Sequence, residues 1–246
     1  MEGLKRIDYI KKWILDYCRS MPKEPEALVV GISGGIDSSV VSTICALTGK
    51  KTIVLSMPIN QIKEQQDLSL KHQDWLKGKF ENVESHLIIL DNLFKSFKVS
   101  LSEFDSEHGL ANSRARLRMT TLYQVAASNN GIVVGTGNKI EDFGVGFYTK
   151  YGDGGVDISP IADCSKSEVW DMGKKLGILK EIIEAQPTDG LWDDGRSDVK
   201  QLGMSYKELE DAMKDSSNKN HKKYLEIRKR NLHKINSIPV CKMKDD

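Results

Sequence analysis

The sequence predicts an α/β fold: a single domain on a Rossmann-like, doubly wound parallel sheet with helices on both faces. Three observations carry this. Short apolar runs occupy residues 27–31, 52–57, 85–90 and 132–135. Stretches with helical spacing of apolar residues separate them. A glycine-rich turn follows the first run directly and opens a helix-compatible stretch. Runs of this length suit strands buried on both faces, and their alternation with helices gives βαβ units with parallel strands.

Each element has a local reason. Ile7, Ile10, Trp13, Ile14 and Tyr17 recur at helical spacing, so residues 4–19 form an amphipathic helix. Pro22 and Pro25 end it. The first strand leads through the glycine turn into a helix reaching about Leu47, with Gly49 as its stop. Residues 62–77 and 110–128 read as further helices. Residues 136–159 are glycine-rich with few helix signals, and a loop that long in a compact domain is usually functional. Ser165 and Glu168 make a capping box opening a helix that ends near Gly177. Residues 186–204 read as a mobile polar segment, and helices near 205–214 and 219–233 close the chain. No internal repeat is visible.

Size and charge narrow the function classes. The 246 residues suffice for one large α/β domain. Lys+Arg 36 against Asp+Glu 35 leaves a net charge of +1, which gives no global attraction to nucleic acid or membrane. The four cysteines, Cys18, Cys45, Cys164 and Cys241, show no C-x-x-C spacing, so a zinc ribbon or redox pair is unsupported. Small thiols in a reducing compartment are the simpler reading. There is no secretory leader pattern and no run of 18 apolar residues, so a soluble cytoplasmic location is expected.

The turn is the most informative segment: Gly31, Ile32, Ser33, Gly34, Gly35, Ile36, Asp37, Ser38 and Ser39. Backbone N–H groups of such a turn, with the positive end of the following helix, suit a phosphate. Ser33, Ser38 and Ser39 offer hydroxyls. Asp37 repels a phosphate unless a cation lies between them, and so reads as a Mg²⁺ ligand. The string lacks both the lysine of G-x-x-x-x-G-K-[ST] and the G-x-G-x-x-G fingerprint. In a strand–turn–helix context, S-G-G-x-D-S resembles the signature of the ATP-pyrophosphatase superfamily, whose members split ATP between its α and β phosphates.

Three later runs add candidates. On the 110–128 helix, Asn112 and Arg116 share a face that suits a carboxylate or phosphate; a solvated basic helix is the plainer alternative. In Gly135-Thr136-Gly137-Asn138-Lys139-Ile140-Glu141, Thr136 offers a hydroxyl. Glu141 can complete a Mg²⁺ site with Asp37, or be simply a loop glutamate in water. The run Tyr148-Thr149-Lys150-Tyr151-Gly152-Asp153-Gly154-Gly155-Val156-Asp157 carries aromatics that can sandwich a flat heterocycle, and Asp157 can accept from a hydroxyl or amide.

Taken in order, S-G-G-I-D-S, A-N-S-R-A-R-L-R-M, G-T-G-N-K-I-E and T-K-Y-G-D-G-G-V-D resemble the NAD synthetases over roughly residues 4–240. The resemblance implies amidation of deamido-NAD by ATP and ammonia, giving NAD, AMP and pyrophosphate. It also implies site residues. The turn from Gly31 to Ser38, with Thr136, Lys166 and Thr188, would contact ATP. Asp37 and Glu141 would bind Mg²⁺. Asn112, Arg116, Lys150, Asp157, His233 and Lys234 would hold deamido-NAD. Asp37, Lys166 and Thr188 would position the reactants, with no covalent nucleophile. A homodimer is implied too, with the 110–128 helix as candidate interface.

Between Glu141 and Lys150 the chain is one residue longer than the commonest family spacing, which leaves Asp142 as the alternative metal ligand. Only about 26 residues precede the first strand, so no amidase domain is expected ahead of it and ammonia is expected to be used directly. The 136–159 and 186–204 segments are candidate lids. Two rivals remain in view. A tRNA-modifying relative would need a basic RNA face or a catalytic cysteine pair. A nucleotide sensor on the same fold would not need Asp37, Glu141 and Lys166 together.

Overall fold

The computed structural model describes residues 2–188, 190–192 and 197–243. In chain order the elements are α1 (Gly3–Ser20), β1 (Ala27–Gly31), α2 (Ile36–Leu47), β2 (Lys51–Ser56), α3 (Lys63–Lys79), β3 (Val83–Leu87), α4 (Asp91–Ser100), α5 (Glu107–Ser128) and β4 (Gly131–Val133). A π-helical turn (Lys139–Val145) follows, then α6 (Lys166–Leu176), α7 (Lys180–Glu184), α8 (Asp198–Leu202), α9 (Tyr206–Lys214) and α10 (His221–Ile235).

The strands form a parallel four-stranded sheet in the order β3-β2-β1-β4. Alternate residues point to opposite faces. Leu28, Val30, Val54 and Ile132 pack toward α1, α2 and α6, while Val29, Ile53, Leu55 and Val133 pack toward α4 and α5. A separate small core of Ile140, Val145, Leu202, Tyr206, Leu209 and Tyr224 holds the π turn against α8, α9 and α10. The strand order reverses direction at β1, which has β2 on one side and β4 on the other. The crevice beyond the carboxyl ends of β1 and β4 is thus the switch point where such sheets take ligands.

Several boundaries differ from the sequence reading. The third strand ends at Leu87, because the Ile88 and Leu90 amides turn to the Ser56 and Pro58 carbonyls, 2.9 and 3.0 Å away. Helix α4 was not signalled, and α5 starts at Glu107 because Ser106 caps it by accepting from the Gly109 amide. The 136–159 segment is not plain loop. It contains the π turn, and Ile158 bridges to Val134 at the sheet edge. The 186–204 segment, expected to be mobile throughout, carries α8, whose five residues are too short for a periodic signal. The Ser165–Glu168 capping box is present, and α6 stops at Gly177, whose φ of +70° is the left-handed conformation glycine tolerates.

Candidate active site

A cavity of about 280 Å³ opens at the switch point, lined by the turn from Gly31 to Ser38, by Met57, Thr136, Gly137, Glu141, Lys166 and Thr188, and by Arg118 of α5. The glycine turn is pinned from within. Ser38 Oγ accepts from the Ser33 amide and donates to the Gly35 carbonyl, at 3.2 and 3.1 Å. Gly34 has φ +86°, and a Cβ there would lie 2.7 Å from the Gln65 carbonyl oxygen, so only glycine fits. Ser39 is buried and also donates to the Gly35 carbonyl, at 2.9 Å. Its hydroxyl, expected to face a phosphate, shapes the turn instead. Ser33 stays exposed at the rim.

The predicted carboxylates meet. Lys166, the first residue of α6, places its buried ammonium 2.5 Å from Asp37 Oδ2 and 2.8 Å from Glu141 Oε1. Burying an ammonium costs several kcal/mol. Burial would push it toward neutrality, but the two carboxylates outweigh that and hold it charged, above the usual lysine range. At Asp37 burial outweighs Lys166 and holds the carboxyl above its usual range, whereas at Glu141 Lys166 and hydrogen bonds outweigh burial and hold it below. Asn138 joins both sides. It donates to Asp37 Oδ1 at 3.1 Å and accepts from the Ile140 and Glu141 amides that begin the π turn.

The π turn, with its i→i+5 hydrogen bonds, lies in the stretch where the two registers were open. Glu141 comes early in that turn and keeps its carboxylate on Lys166. Asp142 also lines the cavity, beside Gly137, where a Cβ would lie 1.8 Å from Asp142 Oδ2. Burial, then the charges of Asp153, Glu141 and Asp37, hold the Asp142 carboxyl well above the usual carboxylate range.

The second predicted group collects outside the cavity. Arg116 of α5 donates to the Lys150 carbonyl at 3.3 Å, Lys150 to the His233 carbonyl at 2.9 Å, and Lys234 to the Tyr148 carbonyl at 2.8 Å. Asn112 Oδ1 accepts from the Thr149 hydroxyl at 2.7 Å. These side chains form a strip joining α5, the 148–155 loop and α10. Asp157 is not turned into it, because its oxygens accept from the Val133 amide at 2.7 Å and the Tyr123 hydroxyl at 3.0 Å. Thr188 lies in the cavity wall, and the Gly190 amide donates to its hydroxyl at 3.2 Å.

Sequence reasoning gave no role to Asn138, Arg118, Asp198 or Tyr206. Arg118 donates to the Met57 carbonyl and to Gln61 Oε1, both at 2.9 Å, and so closes one wall of the cavity. Asn138 stood inside a quoted motif, and its place between two candidate ligands was the available signal. Tyr206 opens an amphipathic helix and reads as ordinary core.

Comparison with known proteins gives the family. The NAD synthase family profile matches residues 6–245. An NH3-dependent NAD(+) synthetase of Archaeoglobus fulgidus is 35% identical over 227 residues, which are 89% of each chain. Among solved structures, an NMN synthetase from Francisella tularensis superposes with a TM-score of 0.90 at 30% identity, over 99% of this chain and 100% of that one. An NH3-dependent NAD synthetase from Campylobacter jejuni gives 0.79 at 25% identity, over 98% and 100%. A glycine turn, a lysine-bridged pair of carboxylates and a basic outer strip, on a chain matched almost end to end, place this protein in the NAD synthase family.

Proposed function

We propose that the chain amidates deamido-NAD with ammonia at the expense of ATP, giving NAD, AMP and pyrophosphate. The observation that carries this reading is the Lys166 ammonium set between Asp37 and Glu141 beside the glycine turn. The nicotinate carboxylate is a poor electrophile. It attacks the α-phosphorus of ATP, pyrophosphate leaves, and an acyl-adenylate forms. Ammonia then attacks the carbonyl carbon and AMP departs. Neither step needs a protein nucleophile, so catalysis rests on positioning and charge.

The turn from Gly31 to Ser38 would hold the phosphates on its backbone N–H groups, with Thr136 and Thr188 in the wall around them. Lys166 would offset the charge of two approaching anions. Asp37 and Glu141 fit a Mg²⁺ ion: both are hard oxygen donors, and they converge on one cationic atom. Bound there, Mg²⁺ would neutralise phosphate charge. Asn112, Arg116, Lys150, His233 and Lys234 would hold deamido-NAD, with Asp157 bracing the strip from behind. Residues of the 136–159 and 186–204 segments that line the cavity would keep water from the adenylate.

The reading includes a single synthetase unit using free ammonia, a homodimer and a cytoplasmic setting. Exposed Leu87, Ile89, Leu93, Val99 and Phe104, between the end of β3 and the start of α5, support a partner surface. The described cysteines are all free thiols, which suits a reducing compartment. No helix among the described residues is long and apolar enough to cross a membrane.

The test is NAD and AMP formation from deamido-NAD, ATP, Mg²⁺ and ammonium chloride, with glutamine replacing ammonium in parallel. Products with ammonium alone support the reading; AMP formed only with tRNA present would return a tRNA-modifying enzyme. A second reading, amidation of the mononucleotide, is favoured by the Francisella likeness. The same assay with nicotinate mononucleotide decides between them, by which substrate has the higher kcat/KM.

A further inference from the structure

Tyr206, the first residue of α9, touches every member of the buried charge group that lies on its side. Its ring sits 4.7 Å from the Lys166 ammonium. Its hydroxyl lies 2.5 Å from Glu141 Oε1 and 2.8 Å from Asp198 Oδ2. Trp170 packs edge-on against the ring, 6.0 Å between centroids, and only 5% of the residue is exposed. A phenol carries one hydrogen, so it donates to one carboxylate at a time, and Glu141 is the nearer. Asp198 in turn donates its backbone N–H to the Pro187 carbonyl at 3.1 Å, next to Thr188 in the cavity wall.

We propose that Tyr206 is a positioning residue: its hydroxyl donates to the Glu141 carboxylate and fixes it for a divalent cation, with Asp198, beside the Thr188 wall, as the competing acceptor. This rests on the function proposed above. Three physical arguments support it. Glu141 sits in a π-helical turn, a rare geometry found most often at functional sites. Its carboxylate rests on Lys166 at 2.8 Å and on this phenol at 2.5 Å, the shorter of the two contacts, with Asn138 beside them. A buried hydroxyl whose only role was to fill the core would be a phenylalanine at no cost in packing, whereas this one lies within hydrogen-bond reach of two acids.

The variant Tyr206→Phe keeps the ring, its contact with Trp170 and its place over Lys166, and removes only the hydroxyl. Mn²⁺ binding to the full chain with a non-hydrolysable ATP analogue is measured by electron paramagnetic resonance, beside Mg²⁺ activation curves. Outer groups that orient metal ligands typically contribute 10- to 100-fold in metal affinity. Tyr206→Phe is therefore expected to weaken Mn²⁺ about tenfold and raise the Mg²⁺ needed for half-maximal rate by a similar factor. The KM for deamido-NAD should stay the same, and excess Mg²⁺ should restore most of kcat. A purely structural tyrosine would lower the melting temperature and leave Mn²⁺ affinity alone; that result overturns the proposal. Should Tyr206→Phe not fold, Asp198→Asn carries the test: it removes the competing acceptor, so Mn²⁺ is expected to bind about threefold more tightly, and unchanged or weaker binding overturns the proposal. Failure of the wild type to form NAD would remove the proposed function instead, and the Mn²⁺ comparison would still decide the role of Tyr206.

Discussion

The inner and outer parts of the site use the same kinds of residue in opposite ways. Inside the cavity, Asp37, Asn138, Glu141, Lys166 and Tyr206 bond to one another through side chains, and the Lys166 side chain is 3% exposed. On the outer strip, Arg116, Lys150 and Lys234 rest on main-chain carbonyl oxygens, and Arg116 and His233 are open to solvent. A buried ion group is costly to assemble and is worth having only if its geometry is already right for charge that develops later. A surface cation on a carbonyl can exchange that partner for a ligand phosphate at little cost. On the function proposed above, the inner part is fixed before substrate arrives, and the outer part would be shaped by it.

That contrast can be broken at its strongest point. Lys166→Met leaves Asp37 and Glu141 facing each other with nothing between them. It is expected to lower kcat about 1000-fold, as loss of a preorganised charge typically does; a steady-state assay showing less than a tenfold loss would mean the interior is not set by Lys166. Asp37→Ala should lose at least about 100-fold in kcat/KM. The outer strip should respond in KM rather than kcat. Arg116→Ala is expected to raise the KM for deamido-NAD about tenfold, about 1.4 kcal/mol, with the KM for ATP unchanged. A change confined to ATP would show that the two parts are wrongly divided.

The smallest effect on turnover is expected at His72, which stands behind the inner part. Its ring is fully buried between α3 and α2, with Nε2 3.0 Å from Ser42 Oγ. Burial pushes its pKa down to about 4 from 6.5. Between those values the unfolded chain holds a proton that the folded one does not, so stability rises with pH through that window and falls as pH drops from 6.5 toward 4. The loss is of the order of 3 kcal/mol. Denaturant titration across that range should show it, and His72→Gln should flatten it while leaving turnover at neutral pH within about twofold.

What the sequence made legible follows from these two styles of construction. The glycine turn and the capping box at Ser165 carry local signals and stand where those signals fall, while the strands are present with ends displaced by up to three residues. Asp37 was legible from its place in the glycine turn, whereas Glu141 read locally either as its partner or as a loop glutamate in water. The basic strip could be gathered only through family motifs, since Arg116, Lys150 and His233 read locally as solvated charge. Asp157 could be named but not oriented: its bonds to Val133 and Tyr123 depend on how α5 lies on the sheet. Tyr206 and Asp198 were beyond reach for the same reason. A residue that acts by touching another gives no pattern of its own, and α8 is too short to show one.

The Asp37–Lys166 contact spans 129 positions of chain, and the Glu141–Tyr206 contact a further 65. Loops of that size close late, because their entropy must be met before the contact returns anything. A ribosome that has released the glycine turn, the first three strands and α5 has made most of a sheet but no charge group at all. Nascent chains shorter than about 210 residues would therefore pass through the cell with a phosphate turn and no means of using it, and the protein becomes chemically competent only as its last third settles onto its first.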